Sequence, residues 1–321
     1  MKGIFIKFLL ETRNQMNHNI MRTKHIQLAL SVLLFFAPMS PITAQSSFKL
    51  DPQASTLIDN ALMECIYNYT VNVPLLNSQT NEKRTETYTT ILQANGSTSK
   101  FWDWNSFKKD SIIYTSVKLP ADSLKKLNEK YYSTVRYLFA PEIFKNYPSE
   151  KMTVTDDITP EDYIYEESKI DRKWALQDGT VKVCGSECNK AVASFGGREW
   201  TVWYSPEITI SDGPWKLYGL PGLILKASDA TGTHTFEAIA IRKSNRPIYL
   251  NKNISQLKIS KDLFIKNKNR FEEDPDNNLH TTNSVLVMSI RKDMDLVLIK
   301  GKRTSPRLIN KNLVYSPLEL K

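Results

Sequence analysis

Apolar and polar residues alternate in short runs along most of this chain, which is the pattern of β-strands that bury one face. The runs are rich in Tyr, Thr, Val and Ile, residues that favour a pleated, half-buried surface. They cover residues 65–74, 86–93, 151–155, 163–166, 172–176, 187–195, 199–204, 223–227 and 235–241, and two more cover 284–290 and 294–300. The predicted structure is therefore mostly β.

Two segments have a helical pattern instead. Within residues 122–139, apolar residues from Leu124 to Leu138 recur at spacings of three and four, which predicts a helix with one apolar face. Residues 260–271 predict a shorter, charged helix, and residues 51–64 fit either a short helix or the approach to a strand. We therefore predict an α+β fold, predominantly antiparallel β, built as a curved sheet or open half-barrel with one covering helix.

A segment rich in glycine and proline interrupts the strand pattern. Its notable residues are Gly213, Pro214, Trp215, Gly219, Leu220, Pro221 and Gly222. Gly213 and Pro214 mark a turn, and Gly219 allows a backbone conformation or a close approach that a Cβ atom would block. Pro221 fixes φ and removes an amide donor. We interpret the segment as a constrained bend ahead of a β-hairpin over 223–241. It either shapes the fold or forms a contact surface, and the structural role is the better interpretation.

The same segment carries a family resemblance. Residues 219–225 read Gly-Leu-Pro-Gly-Leu-Ile-Leu, and upstream Cys188 is followed by a Lys-Ala pair, a Gly-Arg pair and two tryptophans. Residues 315–320 read Tyr-Ser-Pro-Leu-Glu-Leu, with Ser316 where Asn is expected, and Ser186 stands where an aromatic residue is usual. This series resembles the GLPGLI family, also called Porph_ging, of secreted proteins from Bacteroidetes-type bacteria. The resemblance implies export, and it implies no established biochemical activity.

The N-terminal region has the order of a secretory signal peptide. Arg22 and Lys24 precede an apolar core at residues 26–37, and a small-residue cleavage site ends at Ala44. This core is shorter than the ~20 apolar residues that a membrane span needs. We therefore expect residues 1–44 to be cleaved from a protein that works in the periplasm or outside the cell.

The position of the signal also affects the net charge of the mature protein and the number of its domains. A signal that starts at Met21 has better proportions, so a mis-assigned start over residues 1–20 is an alternative to a signal that begins at Met1. Cleavage after residue 44 removes five basic residues and one acid, and lowers the formal net charge from +9 to +5. Export and this modest charge argue against nucleic acid as a partner. A mildly basic surface would suit anionic envelope polymers, but an ordinary solvated surface is the better interpretation of the charge. No internal repeat or long linker is present, so residues 45–321 are predicted to form a single β-rich domain.

Three cysteines are an odd number for an exported protein, so at most one pair among Cys65, Cys184 and Cys188 can form. On an extended strand the Cα atoms of Cys184 and Cys188 lie ~13 Å apart, beyond the ~7 Å limit for a disulfide. Only a tight turn at Gly185 and Ser186 would bring them together, so a disulfide and a buried thiol both remain open. We predict that Cys188 is a buried, inert core residue and that the cysteines hold no metal.

The sequence contains no recognisable catalytic constellation. It lacks a Gly-x-Ser-x-Gly elbow, a His-Glu-x-x-His zinc helix and a phosphate-binding loop, and we read His234 and His280 as solvated. The carboxylates Glu166, Glu167 and Asp171 faintly resemble the acid pair of a glycosidase, but a solvated strand end fits them better.

These observations predict a non-catalytic, exported binding or accessory protein of the cell envelope, without a cofactor. Its partner would be an envelope protein, an apolar ligand or an envelope polymer. The alternative is a secreted hydrolase whose active site follows no sequence motif. Among the six tryptophans, Trp200 and Trp203 are an odd number of residues apart and so face opposite sides of a regular strand, which leaves one of them for a second contact surface.

Overall fold

The computed structural model describes residues 55–74, 83–115, 139–158, 161–251, 256–273 and 317–320, with shorter pieces at 120, 122–123, 126, 288–291, 296–299 and 302–303. The predicted signal peptide over 1–44 lies outside these residues. So do His280 and most of the predicted helix over 122–139.

The strands are β1 (Ser55–Asn60), β2 (Met63–Pro74), β3 (Lys83–Ala94), β4 (Ser99–Asp103), β5 (Glu142–Lys145), β6 (Lys151–Ile158), β7 (Glu161–Ser168), β8 (Ala175–Val183), β9 (Ser186–Phe195), β10 (Arg198–Ser205), β11 (Leu223–Asp229), β12 (His234–Lys243), β13 (Pro247–Asn251), β14 (Gln256–Lys258), β15 (Met288–Arg291), β16 (Leu296–Ile299) and β17 (Lys302–Arg303). The helices of the described chain are α1 (Trp104–Thr115) and α2 (Lys261–Glu273).

Twelve strands form one open sheet in the order β14-β7-β6-β5-β4-β3-β2-β12-β11-β10-β9-β8. Neighbouring strands are antiparallel, except that β14 runs parallel to β7. The order consists of two meanders, β2 to β7 and β8 to β12, which join where β2 pairs with β12. Strand β1 pairs with β13 in a separate sheet, and β15 to β17 form a third. The predicted fold class, α+β with predominantly antiparallel β, is confirmed.

The connection between β7 and β8 shows that the large sheet is curved. These two strands follow each other in sequence, yet they stand near opposite ends of the sheet. Ten strand spacings of about 4.8 Å would separate them by about 48 Å in a flat sheet. The connection is residues 169–174, and seven Cα–Cα steps reach about 25 Å at most. The sheet must therefore curl until its two ends approach each other, as the prediction of a curved sheet requires.

One face of the curved sheet carries the main core, and we call it the inner face. It holds large aromatic side chains of the central strands, among them Tyr67, Phe101, Trp200 and Phe236, all of which are fully buried. Helix α2 covers this face beside β7, where Phe264 packs on Tyr165 with ring centroids 5.2 Å apart. Helix α1 lies on the opposite, outer face over a smaller apolar cluster. The sequence pattern did not predict this second helix.

Two local predictions need correction or completion. Residues 172–174 were predicted to be extended, but β8 begins only at Ala175. The physical reason is that the side chains of Arg172 and Trp174 are held against residues 216–218, and Lys173 has a φ of 45°. Residues 51–64 were predicted as a helix or a strand approach, and their described part contains strand β1.

Candidate functional site

The glycine- and proline-rich segment joins β10 to β11 and crosses the inner face of the sheet. We call residues 206–222 the motif segment. Its Trp215 ring packs between Phe195 and Trp200, with centroid distances of 5.3 and 5.5 Å. Leu217 and Leu220 are almost completely buried. The apolar side chains of the motif therefore belong to the main core.

Two motif glycines stand where a side chain would collide with the fold. A Cβ atom on Gly222, whose φ is 152°, would lie 2.2 Å from the Ser205 carbonyl oxygen, and one on Gly213 would lie 2.7 Å from the Ile224 Cβ. Gly219 differs, because it is exposed and needs glycine only for its φ of 96°. These contacts favour the structural role for Gly213 and Gly222, a role that stays a prediction until it is tested.

The remaining motif residues divide between the core and the surface. Pro214 is buried with Trp215 and Leu220, whereas Pro221 is exposed beside Gly219. Gly219 lies near the indole of Trp174, whose Nε1 is 3.7 Å from the position of a Cβ on Gly219. Among the seven motif residues named from the sequence, Gly219 and Pro221 are therefore the exposed ones.

A ring of buried charges joins the motif segment to the sheet, to α2 and to the C-terminal end. The Lys216 Nζ lies 2.5 Å from Glu167 Oε1 and 2.6 Å from Glu319 Oε2. The Lys261 Nζ lies 3.0 Å from Glu167 Oε2 and 2.5 Å from Glu319 Oε1. Burial raises the pKa of Glu167, but the two ammonium groups outweigh burial and bring that pKa below its usual value. We call these four residues the charge ring.

A second buried lysine fixes the start of the motif. Lys145 of β5 forms an ion pair with Asp212 and donates to the carbonyl oxygens of Gly213, at 2.6 Å, and Leu217, at 3.4 Å. Burial lowers the pKa of Lys145, and the Asp212 carboxylate opposes that shift. The Asp212 carboxylate also accepts the Gly213 amide at 2.7 Å. These bonds satisfy the backbone of a segment that has no strand partner of its own.

The connection between β7 and β8 packs against the other side of the motif. The Arg172 guanidinium lies 3.6 Å from the Phe195 ring centroid and 4.4 Å from that of Tyr218. It donates to the Lys216 carbonyl oxygen from Nε and Nη2, at 3.3 and 3.2 Å. The Trp174 Nε1 donates to the Tyr218 carbonyl oxygen at 2.8 Å. The two ends of the curved sheet thus meet on the motif segment.

The C-terminal residues 317–320 dock beside the charge ring. Arg198 of β10 donates to the Pro317 carbonyl oxygen at 2.6 Å and to that of Leu318 at 3.2 Å, and it pairs with Asp229 at 2.9 Å. The Leu320 amide donates to the Gly196 carbonyl oxygen at 2.7 Å. Residues of the family resemblance that lie far apart in sequence therefore come together here.

The prediction that His234 is solvated is wrong. His234 begins β12 and is fully buried, with its Nδ1 2.9 Å from the Tyr69 hydroxyl and its ring stacked on that of Tyr69. Its amide donates to Asp229 Oδ1 at 2.8 Å. Burial, and then the charge of Arg198, lower the pKa of His234 to about 4. The position next to a turn suggested exposure, but the first residue of the strand faces the core.

The solvated strand end predicted for the carboxylates is correct for Glu166 and wrong for Glu167. Glu166 is exposed and pairs with Lys151 at 2.8 Å, and Asp171 is also exposed. Successive strand residues face opposite sides, so Glu167 faces inward and becomes part of the charge ring. Alternation along β7 was the signal that could have identified it. Lys216 and Glu319 carried no such local signal, because 103 residues separate them.

The three thiols are all free, and they lie in different environments. Cys184 is exposed in a two-residue turn, with a φ of 52°, and is followed by Gly185 with a φ of 87°. A tight turn is therefore present at Cys184 and Gly185, one residue before the position considered from the sequence, but Cys188 pairs across the hairpin with Val181 and is buried. Burial raises the pKa of Cys65 to about 12. Cys188 is therefore a buried thiol, whereas the thiol of Cys184 is exposed to solvent.

The two predicted faces of β10 also differ. Trp200 is fully buried on the inner face, whereas Trp203 is half-buried, with a bulge between Trp203 and Tyr204. Among the residues that the structure describes, no cluster of three or more His, Cys, Asp or Glu side chains is arranged to hold a metal ion. Within the same residues, every helix is too short or too polar to cross a bilayer.

Comparison with solved structures finds distant similarities. Two structures of PNGF-II share 14% and 16% identity with this chain, with TM-scores of 0.41 and 0.38; each match covers 71% of this chain and 35% of the other. The chain thus spans about a third of the length of those proteins. A domain from Vibrio parahaemolyticus described as an outer membrane lipoprotein-sorting protein domain shares 9% identity, with a TM-score of 0.18, over 58% of this chain and 87% of that domain.

No curated protein matches the chain in sequence. A family model does match: residues 146–226 fit the model described as a protein of unknown function, Porph_ging. The matched region runs from the end of β5 to the start of β11 and contains the whole motif segment, together with Glu167, Arg172 and Arg198. The match over residues 146–226 supports the resemblance to the Porph_ging family that the Gly-Leu-Pro-Gly-Leu-Ile motif carries.

Proposed function

We propose that this protein is an exported, non-catalytic binding or accessory protein of the cell envelope. The observation that carries the proposal is the state of the charged side chains around the family motif. Lys145 and Lys216 are buried, the Glu167 side chain is 9% exposed, and all three are paired within the protein. A catalytic acid, base or nucleophile must instead reach a substrate. The motif therefore serves to hold the curved sheet together, and partner binding belongs to the surface.

The proposed location rests on the N-terminal sequence. Residues 1–44 have the basic, apolar and cleavable order of a Sec-type signal peptide, and we propose that residues 45–321 are released as a single domain in the periplasm or outside the cell. N-terminal sequencing of the exported protein should begin at Gln45 or within a few residues of it. An uncleaved N-terminus in the membrane fraction would refute this part of the proposal.

The binding function is tested by purifying the mature protein from its native envelope and identifying what accompanies it by mass spectrometry. The proposal expects a protein, a lipid or an envelope polymer at a reproducible ratio. The same preparation is incubated with panels of peptide, ester and glycan substrates. Turnover of any of them would favour the secreted hydrolase instead.

A further inference from the structure

An aromatic pair on the outer face of the sheet stands apart from the motif. Trp104 begins α1 and stacks on Phe107, with ring centroids 5.1 Å apart and an interplanar angle of 21°. Asp103 accepts the Ser106 amide at 2.7 Å and so caps the helix at this point. Phe107 is buried against Trp102, whereas Trp104 is half-buried. The helix start therefore presents an indole on a rigid support.

Cations surround this pair. The Arg242 guanidinium lies 5.5 Å from the Trp104 ring centroid and the Lys108 Nζ lies 5.8 Å from it. The Arg246 guanidinium lies 5.0 Å from the centroid of Phe107. Arg242 and Arg246 share one carboxylate, that of Glu64, at 2.5 and 3.9 Å. Since this carboxylate is 1% exposed while the two arginines are 44% and 49% exposed, the accessible side of the cluster is positive.

A neighbouring lysine shows what a purely structural contact of this kind looks like. Lys100 lies 3.5 Å from the centroid of Trp102, is 2% exposed, and pairs with Glu142 at 2.9 Å. The cations around Trp104 are farther from the ring and more exposed. Lys100 is thus satisfied inside the protein, whereas in the cluster of Trp104, Phe107, Lys108, Arg242 and Arg246 every member except the buried Phe107 is at least partly exposed.

We propose that this cluster, which we call the outer patch, binds an acidic polysaccharide. A sugar ring presents C–H groups that pack on an indole, and its carboxylates or other acidic groups pair with guanidinium and ammonium groups on either side. Arginine suits this role because its planar fork matches a carboxylate in two bonds. The inference deepens the proposed binding function by naming a partner class, and it rests on that function.

The geometry favours a polysaccharide over a lipid surface. The indole of Trp104 lies against Phe107 and does not protrude as an insertion into a bilayer requires, and the cations lie in the same small area as the ring. Binding should weaken as salt rises, because the cations are exposed. It should not vanish at high salt, because the contact with the ring is not ionic.

The test is titration of the mature protein with polygalacturonate, and with uncharged dextran, by isothermal calorimetry. Polygalacturonate should bind and dextran should not. Trp104→Ala should weaken binding about tenfold, which corresponds to about 1.4 kcal/mol of binding free energy. The double variant Lys108→Gln/Arg246→Gln should weaken it by a similar factor and flatten the salt dependence. Circular dichroism and melting curves show whether each variant is folded.

Trp203→Ala is the matched control, because Trp203 is also half-buried and has Lys226 at 5.8 Å from its ring centroid, but that lysine is paired with Glu237 at 3.0 Å. The affinity of the Trp203→Ala variant for polygalacturonate should stay within twofold of the wild-type value. Absence of polygalacturonate binding, or equal losses in Trp104→Ala and Trp203→Ala, would overturn the proposal. So would binding to phosphatidylglycerol vesicles that Trp104→Ala abolishes while polygalacturonate binding persists.

The outcomes separate this inference from the proposed function. Shortening of the polygalacturonate chains during the titration would refute the non-catalytic function while supporting the outer patch. A protein or lipid partner that co-purifies from the envelope, together with no binding of polygalacturonate, would support the binding function and refute the outer patch.

Discussion

The charge ring predicts that residues 317–320 are essential for the stability of the protein, and Glu319→Gln tests this prediction. The substitution keeps the shape of the side chain but leaves Lys216 and Lys261 to share the single carboxylate of Glu167. The Lys216 side chain is 2% exposed and that of Glu319 is 9% exposed, so the unmatched charge stays buried. Removing one partner of a buried ion pair costs about 3–5 kcal/mol. Because Lys261 is partly exposed, we expect the lower end, about 3 kcal/mol.

The measurements are urea unfolding and thermal unfolding of the mature protein, both monitored by tryptophan fluorescence and by circular dichroism. At about 2–3 °C per kcal/mol for a domain of this size, the melting temperature should fall by roughly 6–9 °C. Glu166→Gln is the matched control, because Glu166 is the neighbouring residue and its ion pair with Lys151 is exposed on both sides. Such a surface pair contributes about 0–1 kcal/mol.

A double variant checks the mechanism. Lys216→Met/Glu319→Gln leaves Lys261 and Glu167 as a balanced pair. Its loss in free energy of unfolding should therefore be smaller than the sum of the losses in Lys216→Met and Glu319→Gln, by about 1 kcal/mol or more. If Glu319→Gln is no more destabilising than Glu166→Gln, or if the two single costs add without coupling, the charge ring does not hold the C-terminal residues as we infer.

Three further predictions concern the motif, the buried histidine and the thiols. Gly222→Ala should prevent soluble folding, whereas Gly219→Ala should lower the free energy of unfolding by only about 1–2 kcal/mol, the cost of a positive φ; yield and urea unfolding measure both. Since the pKa of His234 falls to about 4 on folding, the unfolded chain takes up a proton below about pH 6.5 that the folded protein does not, so stability should drop by up to about 3 kcal/mol from pH 6.5 to pH 4. His234→Gln should remove that drop. A maleimide should label Cys184 in the native protein, and Cys188 only after denaturation.

Each of these three predictions can be refuted by a specific result. Equal effects of the two glycine variants would show that the contact with Ser205 relaxes freely. The histidine test uses the difference between wild type and variant, because burial raises the pKa of Asp156 to about 6, which makes the protein lose stability as pH rises through the same range. An identical pH dependence in both proteins would refute the role of His234. Labelling of Cys184 only after reduction would reveal a disulfide.

The sequence predicted strands best where apolar and polar residues alternate along a strand that buries one face. Strands β9 to β12 have clear alternation and short turns, and all four were predicted within a few residues of their bounds, although only β11–β12 was predicted as a hairpin. Strand β4 was missed because all five of its residues are buried, which leaves no alternation to read. Helix α1 was missed because its apolar residues have little helical periodicity.

The site was harder to predict than the fold. The spacing of the motif glycines indicated a constrained bend, and the close contacts of Gly213 and Gly222 agree with it. The charge ring depends on residues that meet only after the sheet has curled, and a lone Lys or Glu looks the same in sequence whether it is solvated or buried. Pairing across such distances has no local pattern.

The pairing of β2 with β12, which joins the two meanders, also has a consequence for the order in which the protein folds. The chain is synthesised from its N-terminus and would emerge in the same order in the export proposed above, so β2 to β7 are available long before β12. Until β12 arrives, one edge of β2 is unpaired, and the contacts that close it are as distant as the Tyr69–His234 pair, 165 residues apart. Long-range pairing of this kind is slow, and an open strand edge associates with other chains. The newly made chain should therefore need protection of this edge of β2, by a chaperone in the envelope if the chain is exported as proposed, until the second half of the protein has emerged.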